Sequence, residues 1–351
     1  YGFAELSNGN YRQAYRFGKL AILLLDKFKN RDAECPTIGL ALTSLTHWFD
    51  PIRDMPPRFL QAANRGFEIG DIVYGTFCIS MCYGMQIVLG ENLEQLETFF
   101  RSTYQRIRDL SQDAMIMWAQ PALQFVLNLR NRSVDDWRDL TNLTGEIMNE
   151  PTFLQQAIES DHRTLIMIAW AYKAQISCIF GQWAKAESIY KDMISLSQSF
   201  YFSYAVMISS LYGGIASYSL YKENKSRKHL NVARRHRKFL NQAHIRGCPN
   251  AFAFLTLLNA EDISFKQSMA PNIVIQAYDI AIATMSTENL PNFEALARER
   301  AGYYAIQCGN RILAKRYFDP ALELYKNTWG ALAKHDWLVE TIEKKMSRIP
   351  P

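Results

Sequence analysis

The sequence predicts an all-α protein in which helix hairpins stack side by side. In the stretch 161–196, apolar residues recur at spacings of three and four on both sides of Gly181, so each half presents one apolar face of a helix. The same glycine-led pattern returns near both ends of the chain. No segment of five or more residues alternates convincingly at period two, so we expect essentially no sheet.

The glycine-led pattern predicts what the hairpins pack on. Each of three glycines is followed five residues later by an alanine, a side chain small enough to let two helices approach closely. Such a hairpin buries its apolar face only by stacking on copies of itself. We therefore predict a tetratricopeptide-like α-solenoid, a right-handed superhelix of about eight antiparallel helix pairs. The predicted packing residues are Gly9, Ala14, Gly181, Trp183, Ala186, Gly309, Ala314 and Trp329.

Turn residues, and prolines at the first positions of helices, predict where the individual helices begin and end. Tyr1 to Asn8 has the pattern of the end of a helix, and the first clear second helix follows it to Phe28. The 161–196 hairpin is the fifth pair. The other predicted helices are 34–49, 57–69, Asp71–Leu89, Leu93–Leu110, Asp113–Leu129, Val134–Met148, Ser203–Tyr221, Ser226–Ala243, Pro249–Lys266, Pro271–Met285, Asn292–Cys308, Asn310–Tyr325 and Leu332–Met346.

Composition favours one extended array. The 351 residues are 48% hydrophobic with 17 Gly and 12 Pro, which predicts a folded chain. We expect a single domain over 1–351, with a division into 1–150 and 151–351 as the alternative. The chain starts at Tyr1 within a helical pattern, so we expect a segment of a longer protein.

The cysteines and the apolar runs predict the cellular setting. Dispersed cysteines predict a reducing, cytoplasmic setting. No apolar run reaches the roughly 18 residues of a spanning helix, so we expect no membrane partner.

Motifs for reaction chemistry are missing from the sequence. A glycine-rich phosphate loop and the HRD and DFG signatures of protein kinases are absent. Cys78 and Cys82 lie one helical turn apart, but zinc needs about four ligands and no second pair is near in sequence. We therefore predict no catalytic, cofactor-binding or metal-binding residue, and no cofactor.

A basic run is the most informative polar feature. With net charge +5 the chain is only mildly basic, yet cations crowd one helix around the apolar stripe of Leu230, Ala233 and Leu240. They form either a docking surface for an acidic partner or nucleic acid, or an ordinary solvated face. The run begins at Lys222, and its candidate docking residues are Lys225, Arg227, Lys228, Arg234, Arg235, Arg237 and Lys238.

An ordered set of loose motifs spans nearly the whole chain: Gly9–Tyr11, Glu68–Asp71, Asp161–Thr164, Phe180–Gly181, Glu294–Ala301, Ala314–Tyr317, Trp329–Ala331 and Lys334. With this set the chain resembles the helical-repeat region of large multidomain signalling proteins. In these, a serine/threonine kinase domain and an AAA-type, STAND-like ATPase precede the repeats, and a GAF domain and a sensor histidine kinase often follow. The resemblance implies a non-catalytic sensor arm and supplies no catalytic residue.

We therefore expect a protein–protein interaction and regulatory module that binds a protein, a peptide or other domains of its parent chain on a concave surface. Two alternatives remain. The basic face could bind nucleic acid as part of a transcription regulator, although we regard a nucleic-acid partner as less favoured. An enzyme on a helical scaffold would need buried titratable groups that converge in one pocket.

Overall fold

The chain is all-α in the part that the structure describes. The computed structural model describes residues 1–28, 31–109, 113–131, 137, 139–196 and 203–347. Its seventeen α-helices are α1 Gly2–Ser7, α2 Tyr11–Phe28, α3 Glu34–Leu40, α4 Pro56–Glu68, α5 Ile72–Leu89, α6 Leu93–Asp109, α7 Asp113–Arg130, α8 Glu150–Glu159, α9 Arg163–Ile179, α10 Trp183–Leu196, α11 Ala205–Asn224, α12 Arg227–Ile245, α13 Phe252–Ile263, α14 Pro271–Thr287, α15 Pro291–Gln307, α16 Arg311–Glu323 and α17 Leu332–Met346. π-Helical turns at Ala41–Thr46 and Leu324–Trp329 continue α3 and α16.

Consecutive helices pair, and the pairs follow one another along the chain. In chain order the helices form eight successive pairs, α1/α2 to α15/α16, with α17 after them. The two helices pack on each other in seven of these pairs, whereas α8 packs mainly on α9. Odd-numbered helices from α3 to α11 also contact the next odd-numbered helix. The all-α prediction is confirmed, and the arrangement is consistent with an α-solenoid.

The two sets of helices differ in burial. In α11 every residue from Val206 to Leu220 is buried, whereas its partner α12 buries only Leu230, Ala233, Leu240 and Ala243. A helix that is apolar on all sides is enclosed by other helices, and one with a single apolar stripe borders solvent. The odd-numbered helices from α5 to α15 therefore form an inner layer, and the even-numbered helices lie outside it as an outer layer. α17 buries only Ala333, Lys334 and Leu338 and packs onto this layer.

Helices that are five pairs apart along the chain contact each other. The Asn250 side chain, before α13, donates from Nδ2 to the carbonyl oxygens of His47 (2.7 Å) and Asp50 (3.0 Å), beyond α3. Asn292, in the first turn of α15, donates to the carbonyl oxygens of Ile87 (3.3 Å) and Val88 (3.2 Å) at the end of α5. Each asparagine follows a proline and supplies donors to carbonyl groups at or just beyond a helix end, where carbonyls have fewer intrahelical partners.

Further contacts keep the same spacing of five pairs. The Arg246 guanidinium, after α12, lies 4.7 Å from the Tyr11 ring centroid at the start of α2. α17 packs on α7, and Trp137 donates from Nε1 to Glu340 at 3.1 Å. One continuous apolar core extends from Leu6 to Leu338. The repeats thus contact more than their sequence neighbours, and the inner layer is packed rather than open.

One predicted helix is wrong. For Val134–Met148 the structure gives a 3₁₀ turn at Asp139–Thr141 and a loop to residue 149; residues 132–136 and 138 lie outside the described part. Buried amides of α7 hold this loop. Asn128 donates to the carbonyl of Leu140 (2.8 Å), and Gln124 accepts from the Ile147 amide (3.1 Å). The next described helix along the chain is α8, which we did not predict and which packs mainly on α9.

α5 is the single described helix that is long and apolar enough to cross a membrane. Just over half of it, 56%, is buried inside the protein. Its eighteen residues correct our statement that no apolar run reaches that length.

Candidate functional site

The candidate site is the outward side of α12. Its four buried apolar residues fall on one stripe, which packs against α11 and α13. Lys225, in the left-handed conformation at φ 58°, ends α11 and turns the chain into α12. Between Lys225 and Arg246 there is no Asp or Glu. The polar side of α12 is therefore a row of cations without a carboxylate on the same helix.

Some cations of the basic run are anchored to the protein. Arg234 donates from Nε to Asp262 Oδ1 at 3.2 Å, and Arg237 donates from Nη1 to Asn259 Oδ1 at 3.1 Å, both on α13. Lys222 belongs to a buried cluster, where its Nζ lies 2.7 Å from Glu261 Oε2. Arg234 and Arg237 fix α12 against α13, and Lys222 joins α11 to α13. All three are less available to a partner than the sequence suggests.

The other cations are exposed. Lys225 lies over the Tyr221 ring with its Nζ 5.7 Å from the centroid. The first and last exposed cations within α12, Arg227 and Lys238, are eleven residue steps apart, about 16 Å at 1.5 Å per residue. The exposed residues of the predicted docking set, which include the anchored Arg234, are Lys225, Arg227, Lys228, Arg234, Arg235 and Lys238.

A buried ionic cluster lies beneath this surface. Arg300 of α15 donates to both carboxylate oxygens of Glu261, from Nε at 2.8 Å and from Nη2 at 2.9 Å. Lys222 and the Tyr278 hydroxyl, the latter at 2.9 Å, also donate to Glu261. Burial opposes ionisation of Glu261, but Arg300 and Lys222 outweigh it and hold the pKa of this carboxyl well below its usual range. The cluster joins α11, α13, α14 and α15.

A second buried pair joins α17 to the inner layer. Lys334 Nζ donates to Glu299 Oε1 and to the Ile179 carbonyl, both at 2.8 Å. The Tyr325 hydroxyl donates to Glu299 Oε2 at 2.8 Å. Lys334 Nζ also lies 3.9 Å from the Trp337 ring centroid. Burial lowers the pKa of Lys334, and Glu299 offsets part of that effect.

Sequence reasoning missed both clusters. Glu261 interrupts the apolar stretch from Ala251 to Ile263, and a charge within a buried run requires a partner. That signal marks Glu261, but its partners Arg300 and Lys222 lie 39 residues away on either side. Nothing local in the sequence identifies them.

Two clefts open on the described surface, and neither is lined by these clusters. One, of about 370 Å³, lies between α2, α3 and α4, and the other, of about 530 Å³, lies between α6, α7 and the loop after residue 139. The titratable groups of these two buried clusters are thus hydrogen-bonded to one another away from both clefts, whereas the Glu97–Arg130 ion pair lines the second cleft. This geometry favours a structural role for the two clusters.

The cysteines that could have offered two thiolates face different partners. Cys78 Sγ lies 3.7 Å from Cys35 Sγ, while Cys82 Sγ lies 3.4 Å from the Pro56 carbonyl oxygen. Among the described residues there is no group of three or more His, Cys, Asp or Glu side chains arranged to hold a metal ion.

The predicted packing residues occupy helix contacts and turns. Ala14, Ala186 and Ala314 are fully buried, and Trp329 is 2% exposed. Trp183 is half-buried, with the Arg300 guanidinium 5.4 Å from its ring centroid. The three predicted glycines have positive φ, which a residue without Cβ adopts readily: Gly9 at 77°, Gly181 at 73° and Gly309 at 73°.

Neither the models of known protein families nor the curated proteins give a match to this sequence. The resemblance to kinase–ATPase signalling proteins therefore stays a prediction.

Proposed function

We propose that this chain is a non-catalytic interaction module whose outer layer binds an acidic protein partner. The observation that carries the proposal is the row of exposed cations on α12, which faces no carboxylate of its own helix. In detail, we propose a tetratricopeptide-like solenoid with a right-handed superhelix, because eight helix pairs of this form follow one another along the chain.

The outer layer is favoured over a concave groove because the inner helices are packed on all sides. A peptide that entered the inner layer would have to displace residues such as those of Val206–Leu220, each of which is buried. The α12 row needs no displacement. Arg234 and Arg237 hold the helix in place, and that preorganisation reduces the entropy cost of binding.

The resemblance gives the proposal its cellular setting. In a cytoplasmic protein with ATPase and kinase domains, a partner on α12 would stabilise one arrangement of those domains over another. The acidic partner would then be a segment of another protein or of the parent chain itself.

The test compares α12 with a matched outer helix. Arg235→Glu/Lys238→Glu reverses two exposed charges that make no contact with α13, and Lys315→Glu/Arg316→Glu does the same on α16. A labelled glutamate-rich peptide is titrated by fluorescence anisotropy with each variant. We expect the α12 variant alone to lose binding at least tenfold, a loss of about 1.4 kcal/mol. Equal losses in both variants would show only general attraction to a basic protein.

Nucleic acid is the second candidate, and the same α12 row favours it. A labelled DNA duplex in the same assay separates the two. Binding to DNA should weaken as salt rises, with the logarithm of the binding constant falling by about 0.9 per phosphate contact for each unit of the logarithm of salt concentration. If the duplex shows this dependence and binds more tightly than the peptide, nucleic acid replaces the acidic protein as the proposed partner.

A further inference from the structure

The cleft between α2, α3 and α4 is lined mainly by charged and polar side chains. On each helix the lining residues lie three or four positions apart, so each helix turns one face to the cleft. Arg31, in the turn before α3, also lines it. The cleft volume of about 370 Å³ is in the range of sites for small molecules.

Three arginines and two carboxylates line the cleft. Arg65 donates from Nη1 to Glu34 Oε2 at 3.0 Å, so this pair is satisfied within the protein. Arg31, Arg58 and Asp26 make no hydrogen bond or ion pair with another described residue. The cleft therefore offers two unpaired guanidinium groups and one unpaired carboxylate.

Unpaired guanidinium groups in one small cleft favour an anionic ligand. Each presents donors in a planar fork that matches the oxygens of phosphate and carboxylate groups. A phosphate monoester carries about −1.5 to −2 charges at pH 7 and three strong acceptor oxygens, whereas a carboxylate carries one charge on two oxygens. Because two arginines are available and one carboxylate opposes them, the more highly charged phosphate group fits this cleft better.

The remaining lining offers an apolar surface to the same ligand. Ile22 and Leu25 of α2 and Ile38 of α3 are half-buried and line the cleft. Contact with an apolar group removes such aliphatic surface from water, which is favourable. Inorganic phosphate would leave this surface exposed, so a ligand with an apolar part is favoured.

We infer that this cleft binds a small phosphate monoester whose organic part is apolar. Arg31 and Arg58 bind the phosphate, and the three aliphatic side chains contact the apolar part. Asp26 opposes the bound charge and weakens binding. The Arg65–Glu34 pair joins α4 to α3 and holds the wall of the cleft in place. This site is separate from the α12 surface, and neither proposal depends on the other.

The experiment titrates the full chain with phenyl phosphate by isothermal titration calorimetry, in a buffer without phosphate or sulfate. Three comparison probes each change one feature of the ligand: inorganic phosphate lacks the apolar part, phenol lacks the anion, and benzoate has a carboxylate in place of phosphate. The variant Arg58→Gln removes a guanidinium from the cleft. The control Arg16→Gln removes an exposed one from α2 that does not line the cleft. Far-UV circular dichroism confirms that the variants fold.

We expect phenyl phosphate to bind at least about tenfold more tightly than each comparison probe. Arg58→Gln should weaken its binding at least about tenfold, because a hydrogen bond between charged groups is lost, and Arg16→Gln should leave binding unchanged. Asp26→Asn removes the opposing charge and should tighten binding about threefold. The control Glu68→Gln removes an exposed carboxylate of α4 outside the cleft and should have no such effect.

Four results would overturn the inference. The first is the absence of saturable binding of phenyl phosphate, and the second is equal or tighter binding of a comparison probe. The third is an equal loss in Arg58→Gln and Arg16→Gln, and the fourth is an equal gain in Asp26→Asn and Glu68→Gln. Either of the last two would show that the phosphate responds only to the net charge of the chain.

Discussion

The sharpest test of the fold is Lys334→Met, which breaks a buried ion pair between α17 and the inner layer. Lys334 is 1% exposed and Glu299 is 3% exposed. The substitution keeps an unbranched side chain of similar length but removes the charge. Glu299 then keeps the hydrogen bond from the Tyr325 hydroxyl but loses its cationic partner, and the Ile179 carbonyl loses the donor that Lys334 supplies.

The magnitude follows from the buried charge left behind. Removal of one partner of a buried pair costs about 3–5 kcal/mol, because the remaining ion is desolvated without compensation. The orphaned carbonyl adds about 1–3 kcal/mol when no water reaches it. We therefore expect Lys334→Met to lower the free energy of unfolding by at least about 3 kcal/mol. The double variant Lys334→Met/Glu299→Gln should lose less than the single one, because it no longer buries an unpaired carboxylate.

Urea unfolding followed by circular dichroism measures both changes. The control is Lys344→Met on the same helix, where the lysine is 74% exposed and lies 3.5 Å from Glu340. Exposed pairs of this kind contribute about 0.3–0.5 kcal/mol. If Lys334→Met costs no more than Lys344→Met, or if the double variant is less stable than the single one, the argument that Lys334 and Glu299 stabilise each other is wrong.

Three further predictions concern other parts of the chain. Asn292→Ala removes two donors to the end of α5, so it should cost about 1–3 kcal/mol and speed hydrogen exchange of the amides after Gly90. Of the six cysteines only Cys308 is exposed, so native protein treated with iodoacetamide should show one alkylated site by mass spectrometry, and unfolded protein should show six. Burial lowers the pKa of His47 from 6.5 to about 3. Between pH 6.5 and pH 3 the unfolded chain therefore carries a proton on His47 that the folded chain does not. Stability should therefore fall from pH 7 to pH 5, by about 2 kcal/mol from this group, and His47→Leu should reduce that slope.

Local patterns predicted most of the helices because each helix carries its own periodicity. The last helix has the predicted bounds, Leu332–Met346. The helix predicted at Val134–Met148 was wrong because its described part is held as a loop by Gln124 and Asn128 of α7, whose role depends on tertiary contacts.

The contacts between helices five pairs apart could not be predicted from local sequence patterns either. It depends on Asn250 and Asn292, which meet carbonyl groups about 200 residues earlier in the chain. In sequence each is an asparagine after a helix-starting proline, and Asn272 of α14 has the same context without a described role in an inter-turn contact. A local pattern cannot distinguish them.

The sequence predicted which residues form the basic run, but not which of them are anchored and which are exposed. Charge density alone marks the basic run, and the structure separates it into anchored and exposed residues. Arg234 and Arg235 are neighbours in sequence, yet only Arg234 has a carboxylate within reach on α13. Which cation faces a partner helix is decided by packing between α12 and α13, and this is why the reversal variant is Arg235→Glu/Lys238→Glu.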